Sequence, residues 1–213
     1  MARLTTMTPE IVRSLESSQT ARMAVCVEID GVFSPQECRR IIGLRDTLGW
    51  DDAPIPKDAA GAGPQRTHVV DTSVRRTERT HILATPETQW IYDRLSETVN
   101  VANDRAWHFR IGFMEPLQLL RYPEGGHFDW HSDLGDRGIA SLRKVSATIL
   151  LSDPASYDGG DLQLLTGGKE LTPKRDYGTA VLFPAFVNHR VTTVSRGSRY
   201  ALILWTCGKR SMR

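Results

Sequence analysis

The stretch LQLLRYPEGGHFDWHSD, residues 117–133, decides how the rest of the chain is read. Before it, apolar residues recur at helical spacing. Within it they come in short runs broken by turn residues, which is the texture of strands. LQLLRYP and HFDWHSD read as two strands separated by a glycine turn, and KVSATILLSD, GDLQLLTG, KELTP, GTAVLFP, HRVTTVS and SRYALILWTC continue the pattern. About eight short strands at regular spacing, with Asp-Gly-Gly and Arg-Gly turns, predict a sandwich or jelly roll. There is no βαβ alternation.

Upstream the signals are helical. In FSPQE, Ser34 is placed to cap, Pro35 takes the first helical position, and Glu37 stands where a capping box closes. Cys38, Ile41, Ile42, Leu44 and Leu48 follow at helical spacing, so one face of that helix is buried. A second helix is expected from Thr85-Pro86 to about Trp107, with Ile91, Leu95, Val99, Ala102 and Ala106 as its apolar stripe. Between them, residues 51–82 are rich in Pro and Gly breakers and show little periodicity. They read as a long loop, either a lid over a site or a solvated segment.

These parts predict one domain over residues 1–213, with about 1–110 as helical support and loop and about 115–208 as the β core. With 27 basic and 25 acidic residues the net charge is +2, which gives no electrostatic reason to expect nucleic-acid or membrane partners. Three cysteines without close pairing argue against a disulfide framework and against a thiolate zinc site, and fit a reducing cytoplasm. Neither a secretory leader nor a run of about 20 apolar residues is apparent, so the expectation is a cytoplasmic protein, with its oligomeric state left open. The basic tail GKRSMR reads as a frayed end.

Chemistry enters with His131 and Asp133. On a strand, residues two apart project the same way, so the pair arrives aligned, with Ser132 turned outward. His189 opens a strand after the apolar GTAVLFP and supplies a third donor. Two histidines and a carboxylate can hold non-haem Fe(II) with open positions, although catalytic zinc also uses three protein ligands. Arg199, ten residues after His189, shares a strand face with Ala201, Ile203 and Trp205. A buried guanidinium needs an anion and matches a carboxylate bidentately, so a dicarboxylic acid held by a metal at one end and Arg199 at the other fits this set.

The spaced set His131-x-Asp133, His189 and Arg199, with Tyr122 upstream and Trp205 six residues beyond the arginine, resembles the Fe(II)/2-oxoglutarate-dependent dioxygenases, and within them the prolyl 4-hydroxylase-like branch. FSPQEC and TQWIYDRL also look like that branch. The resemblance implies a double-stranded β-helix, a cupin-like jelly roll, with the N-terminal helices packed outside one sheet. It implies His131, Asp133 and His189 as Fe(II) ligands, Arg199 and Tyr122 as contacts to 2-oxoglutarate, and O2 as second cosubstrate, with ascorbate as a reductant. Where some prolyl hydroxylases carry a second tyrosine, this chain has KVSATILL, in which Thr148 is the nearby polar group. Trp205 corresponds to an aromatic lining the pocket, or else closes the core.

The implied reaction hydroxylates an unactivated C–H bond and converts 2-oxoglutarate to succinate and CO2. A prolyl residue in a peptide or protein is the leading substrate, a free amino acid or small metabolite the alternative. A non-catalytic jelly roll that binds a ligand is the reading from another class. Related halogenases have a small residue in place of the carboxylate, so Asp133 points to hydroxylation; nucleic-acid demethylases carry a second arginine where this chain has Trp205. Arg76, in Val74-Arg75-Arg76, is a candidate for the substrate mouth, and His127 and Asp129 for outer partners of the ligands. His68, His81 and His108 have no partner at ligand spacing and read as structural.

Overall fold

Alternation along the C-terminal strands resolves into two facing antiparallel sheets. The computed structural model describes residues 25–52, 55–57, 67–69 and 71–209, with backbone alone for 52, 55–57 and 67–69. In chain order the first half gives β1 (Val27–Ile29), α1 (Pro35–Gly43), α2 (Arg45–Leu48), β2 (Asp51–Asp52), β3 (Ile55–Lys57), β4 (Thr67–Val69), β5 (Arg75–Arg76), β6 (Glu78–Ile82), α3 (Gln89–Ala106) and β7 (Phe113–Met114). The second half gives β8 (Leu117–Tyr122), β9 (His127–His131), β10 (Arg143–Leu150), β11 (Asp158–Gly159), β12 (Leu162–Thr166), β13 (Lys169–Leu171), β14 (Ala180–Pro184), β15 (Asn188–Val191), β16 (Val194–Arg196) and β17 (Arg199–Cys207).

The eight-stranded sheet runs β1-β14-β10-β17-β8-β6-β2, with β7 pairing on β17; the five-stranded sheet runs β13-β12-β15-β9-β5. β11 pairs with β16 and β3 with β4 as separate two-stranded ribbons. HRVTTVS, read as one strand, is two. Asp161 and Thr192 exchange hydrogen bonds at the break, Thr192 N–H to Asp161 O at 3.0 Å and Asp161 N–H to the Thr192 hydroxyl at 2.8 Å, and β16 turns away to pair with β11.

The central strands of the large sheet, β14, β10, β17 and β8, bury both faces, but against different neighbours. Leu119, Ile149, Leu202 and Leu204 face outward onto Ile91 and Leu95 of α3, all at most 0% exposed. At roughly 1.5–3 kcal/mol for each fully buried aliphatic side chain, this layer is a principal source of stability. Leu120, Val181, Phe183, Leu164 and Val194 form a second, smaller core between the sheets. The helices therefore lie outside one sheet, and the jelly roll keeps its interior for other use.

The capping box at α1 closes as its sequence predicts: the Glu37 N–H donates to the Ser34 hydroxyl at 3.3 Å, and the Ser34 N–H donates to the Glu37 carboxylate at 2.8 Å. Arg94 of α3 reaches the same carboxylate at 3.2 Å and ties the two helices together. α3 starts three residues later than Pro86, because the Thr88 hydroxyl donates to Leu83 O and accepts the Thr85 N–H, folding 85–88 into a turn. It ends where His108 adopts φ 55 and its N–H bonds Asn103 O at 2.8 Å, which gives that histidine a structural role.

The segment 51–82 is not the structureless loop its composition suggests. β6 pairs with β8 on the large sheet and β5 pairs with β9 on the small one, so the chain crosses from one sheet to the other between Arg76 and Glu78. The polar sequence ERTHI hides this because backbone pairing with β8, rather than apolar patterning, makes the strand. Residues 53–54, 58–66 and 70, the side chain of His68 and the last four residues of the basic tail lie outside the described residues. Among the described residues, no helix is long and apolar enough to cross a membrane, and the three cysteines are free.

Candidate metal centre and cosubstrate cavity

Register alone brings the two histidines together. On the small sheet β15 lies against β9 with His189 directly opposite His131, and their ring centroids are 4.1 Å apart. The simple alternation expected of β9 does not hold, because a bulge between the His189 and Val191 positions shifts the register so that Val191 faces Phe128. Phe128 and His131 consequently both line the cavity and stack, centroid to centroid 3.5 Å. His127 and Asp129 are displaced from the ligand face. The His127 ring contacts the carbonyls of Gly125 and Ser73, and Asp129 is exposed, its carboxylate accepting the Trp130 N–H.

Asp133 lies beyond the end of β9 and is held there by the turn. The Ser132 hydroxyl donates to Ala185 O at 3.1 Å, the Leu134 N–H donates to the same carbonyl at 2.8 Å, and the Arg143 guanidinium donates to Asp133 O at 3.2 Å. The carboxylate oxygens then sit 3.9 Å from His131 Nε2 and 3.5 Å from His189 Nε2. One ligand atom from each of His131, Asp133 and His189 lies within 4.8 Å of the others.

The protonation states suit a cation. His131 Nδ1 lies 2.7 Å from Asp129 O and His189 Nδ1 3.0 Å from Val187 O. A carbonyl can only accept, so both Nδ1 atoms carry a proton, and both Nε2 atoms face the gap. Burial, reinforced by His189 alongside, pushes His131 down to about 3, so it is neutral and able to ligate at neutral pH. Burial acts to raise the Asp133 carboxyl, but His189 and His131, with the Ser146 hydroxyl donating at 2.7 Å, outweigh it and hold the carboxyl below its usual range. Two imidazole nitrogens and one carboxylate fit a divalent ion that accepts nitrogen and oxygen donors.

Across a cavity of about 390 Å3 stands Arg199, in the range of small-molecule sites. It is 1% exposed, and its Nε and both terminal nitrogens have no hydrogen-bond partner among the described residues. It faces Tyr122 across the β8·β17 pair, the guanidinium carbon 5.0 Å from the ring centre. Gly160 permits this placement: a Cβ there would lie 2.9 Å from Arg199 Cδ, in a backbone with φ +66. Thr148 and Trp205 also line the cavity. The Trp205 indole N–H lies near enough to Asp133 to favour its charged form but makes no hydrogen bond of good geometry, which leaves a buried donor unpartnered.

Arg76 does not line this cavity. Its side chain is exposed and lies over Gly125, whereas Arg75, one residue earlier on β5, is buried and lines the cavity with Arg79. Pairing decides this: Arg75 is opposite Phe128 and points inward, so its neighbour points out. Sequence reasoning also missed Ser146 and the Glu115–Arg143 pair. Arg143 donates to both Glu115 oxygens, at 2.6 and 2.9 Å, and lies 3.8 Å from the Trp205 ring centre, bracing Asp133 from outside. Nothing in local sequence links residues 28 positions apart. His81 sits at the rim beside Gln118, 3.3 Å away.

Comparison with known proteins agrees with this construction. The profile of the 2OG-Fe(II) oxygenase superfamily matches residues 117–207. The PKHD-type hydroxylase YbiX of Escherichia coli is 30% identical over 184 residues, covering 83% of this chain and 76% of that protein. Among solved structures, a Pseudomonas putida prolyl-4-hydroxylase superposes with TM-score 0.66 at 19% identity, covering 87% of this chain and 93% of that one. A Trichoplax adhaerens prolyl hydroxylase in complex with a hypoxia inducible factor peptide fragment gives TM-score 0.70 at 15% identity, covering 95% and 94%. The chain belongs to the 2OG-Fe(II) oxygenase superfamily, with a prolyl hydroxylase-like fold. It is a 2-oxoglutarate-dependent hydroxylase, an oxidoreductase, which sets aside the reading as a non-catalytic binding protein. The family implies Fe(II), 2-oxoglutarate and O2.

Proposed function

We infer that His131, Asp133 and His189 hold Fe(II), that Arg199 anchors the distal carboxylate of 2-oxoglutarate, and that the protein hydroxylates a prolyl residue in a peptide or protein. The observation that carries this reading is Arg199: a guanidinium 1% exposed, with three unpartnered nitrogens, aimed into the same cavity as a converging His, Asp and His. A buried cation without a counter-ion is costly unless a ligand supplies one. Charge supports the same set, because one carboxylate and one guanidinium balance, as do a divalent ion and a dianion.

When bound, the metal and cosubstrate supply the oxidation, with succinate and CO2 released. The chain's own residues do the rest. Nδ1–H bonds to Asp129 O and Val187 O fix the imidazoles, and Ser146 and Arg143 fix the carboxylate and its backbone. Tyr122, beside Arg199, and Thr148 offer hydroxyls to the cosubstrate, Leu120 and Ile203 add apolar lining, and Trp205 stands at the Asp133 end of the cavity. Burial raises the Tyr122 phenol, opposed by Arg199 and Arg75, so it stays a neutral donor. The protein works in the cytoplasm as one domain, with ascorbate as reductant. The peptide assignment is supported by the prolyl hydroxylases that share the fold, one of them described with a peptide bound.

The test is direct. Anaerobic addition of Fe(II) and 2-oxoglutarate gives a weak visible charge-transfer band, and with O2 and a prolyl peptide pool the products gain one oxygen. A gain that survives His131→Ala rejects the site.

A further inference from the structure

The crossover between the sheets leaves two cations at the cavity without an ion-pair partner among the described residues. β5 sets Arg75 opposite Phe128, and β6 sets Arg79 opposite Leu120. Both side chains line the cavity that contains His131 and Asp133. Arg75 is 9% exposed; its Nε donates to the Thr77 hydroxyl at 2.7 Å, and its guanidinium lies 4.5 Å from the Phe128 ring centre. Neither contact supplies negative charge. Among the described residues no carboxylate forms an ion pair with Arg75 or Arg79: Glu78 is taken by Arg121, and exposed Asp51 faces Arg79 across β2·β6 without pairing.

Four arginines and one aspartate line the cavity. Arg143 is neutralised by Glu115. In the reading proposed above, Asp133, Arg199, the metal and the cosubstrate dianion cancel one another. Arg75 and Arg79 are the remainder. Burial foremost, with Arg79 nearby, disfavours the charge on Arg75 and outweighs the support of Tyr122 and Asp133, so an anion arriving there relieves a cost already present in the fold. Phe128, on which Arg75 lies, also stacks on His131 at 3.5 Å between centroids, which sets the guanidinium one ring away from the proposed metal ligand.

We propose that Arg75 and Arg79 receive a carboxylate of the molecule to be hydroxylated, so that the substrate class is one carrying an acidic group a few bonds from the reacting carbon. This rests on the hydroxylase reading and narrows it. The α-carboxylate of a free amino acid, a peptide C-terminus and an Asp or Glu side chain all offer this chemistry, and the experiment separates terminal from side-chain sources.

The full chain is loaded with Zn(II) in place of iron and with 2-oxoglutarate, so that Arg199 is occupied and no turnover occurs. N-acetyl-L-proline is titrated against N-acetyl-L-prolinamide, and acetyl-Pro-Glu-amide against acetyl-Pro-Gln-amide, by calorimetry. The carboxylate member of at least one pair binds about tenfold tighter or more, as expected of a charge-assisted bidentate contact; the first pair marks a terminal carboxylate, the second a side chain. Arg75→Gln and Arg79→Gln each reduce that preference by about tenfold while 2-oxoglutarate affinity is retained. Half-buried Arg79 carries the test by itself if Arg75→Gln does not fold. Equal binding within both pairs, binding of none of the probes, or a preference that survives substitution overturns the proposal. Weakened 2-oxoglutarate binding in Arg75→Gln overturns it too, by assigning that residue to the cosubstrate. If the wild type with Fe(II) and O2 releases no succinate from 2-oxoglutarate, the hydroxylase reading falls instead, and the Zn(II) comparison can still be read.

Discussion

On its outer face the eight-stranded sheet presents Leu119, Ile149, Leu202 and Leu204 to α3, while on the inner face the same strands present Tyr122, Ser146, Thr148, Arg199 and Trp205 to a cavity. The strands and register are shared, so backbone structure cannot explain the difference. Six buried side-chain polar atoms lack a partner among the described residues, and five of them belong to Gln118, Arg199 and Trp205 on the inner face. The outer face is finished by folding. The inner face is left with unpartnered polar atoms among the described residues, as the proposed cosubstrate site requires.

Substitutions on the two faces separate these roles. The largest effect is expected from Asp133→Ala, which removes a proposed ligand. Outer partners of metal ligands are each worth roughly 10–100-fold in metal affinity, and losing a ligand exceeds that. Fe(II)-dependent succinate formation therefore falls by more than about a hundredfold. Leu202→Ala shows the converse. It destabilises by about 2–5 kcal/mol in urea unfolding, and the remaining folded protein keeps its 2-oxoglutarate affinity.

Arg199→Leu divides function from stability in one residue. Removing a buried, unpaired charge leaves the metal-free protein as stable or more stable, by about 1 kcal/mol or more, while 2-oxoglutarate binding weakens by at least tenfold, about 1.4 kcal/mol. Thermal unfolding with and without 2-oxoglutarate reads both changes. A loss of stability in the absence of cosubstrate would show that the inner face is structurally complete after all. Ser146→Ala, which removes the hydroxyl bound to Asp133, lowers metal affinity by about tenfold in a competition titration.

The same face also answers to pH. His131 sits at about 3 against an ordinary 6.5, so on acidification the unfolded chain takes up that proton first. Its contribution to the stability of the metal-free protein is complete above pH 6.5 and declines as pH falls toward 3. The lowered Asp133 extends the loss below its ordinary 3.8. His131→Gln flattens the upper part of a stability–pH curve measured by urea unfolding.

Much of the fold was legible because period-two patterning survives wherever a strand has one wet or polar face and one apolar face. The capping box at Ser34 and Glu37 was legible too, since it needs only local contacts. β5 and β6 were not, because their sequences are polar and an available edge makes them strands. The spacing of His131, Asp133, His189 and Arg199 could be read along the chain. The bulge in β9 could not, and it puts Phe128 rather than His127 and Asp129 beside His131. It takes a partner strand with a different residue count to create one.

Sequence by itself determined which residues can donate to a metal, which can clamp a carboxylate, and that strands would carry them, since those properties belong to side-chain chemistry and local pattern. Tertiary structure decided which donors meet. His131 faces His189 only through the pairing of β9 with β15, and Arg75 rather than Arg76 enters the cavity only through the pairing of β5 with β9. Distance between remote residues is a property of the packed chain, and only packing leaves one arginine matched by Glu115 and another, fully buried, without an ion-pair partner among the described residues.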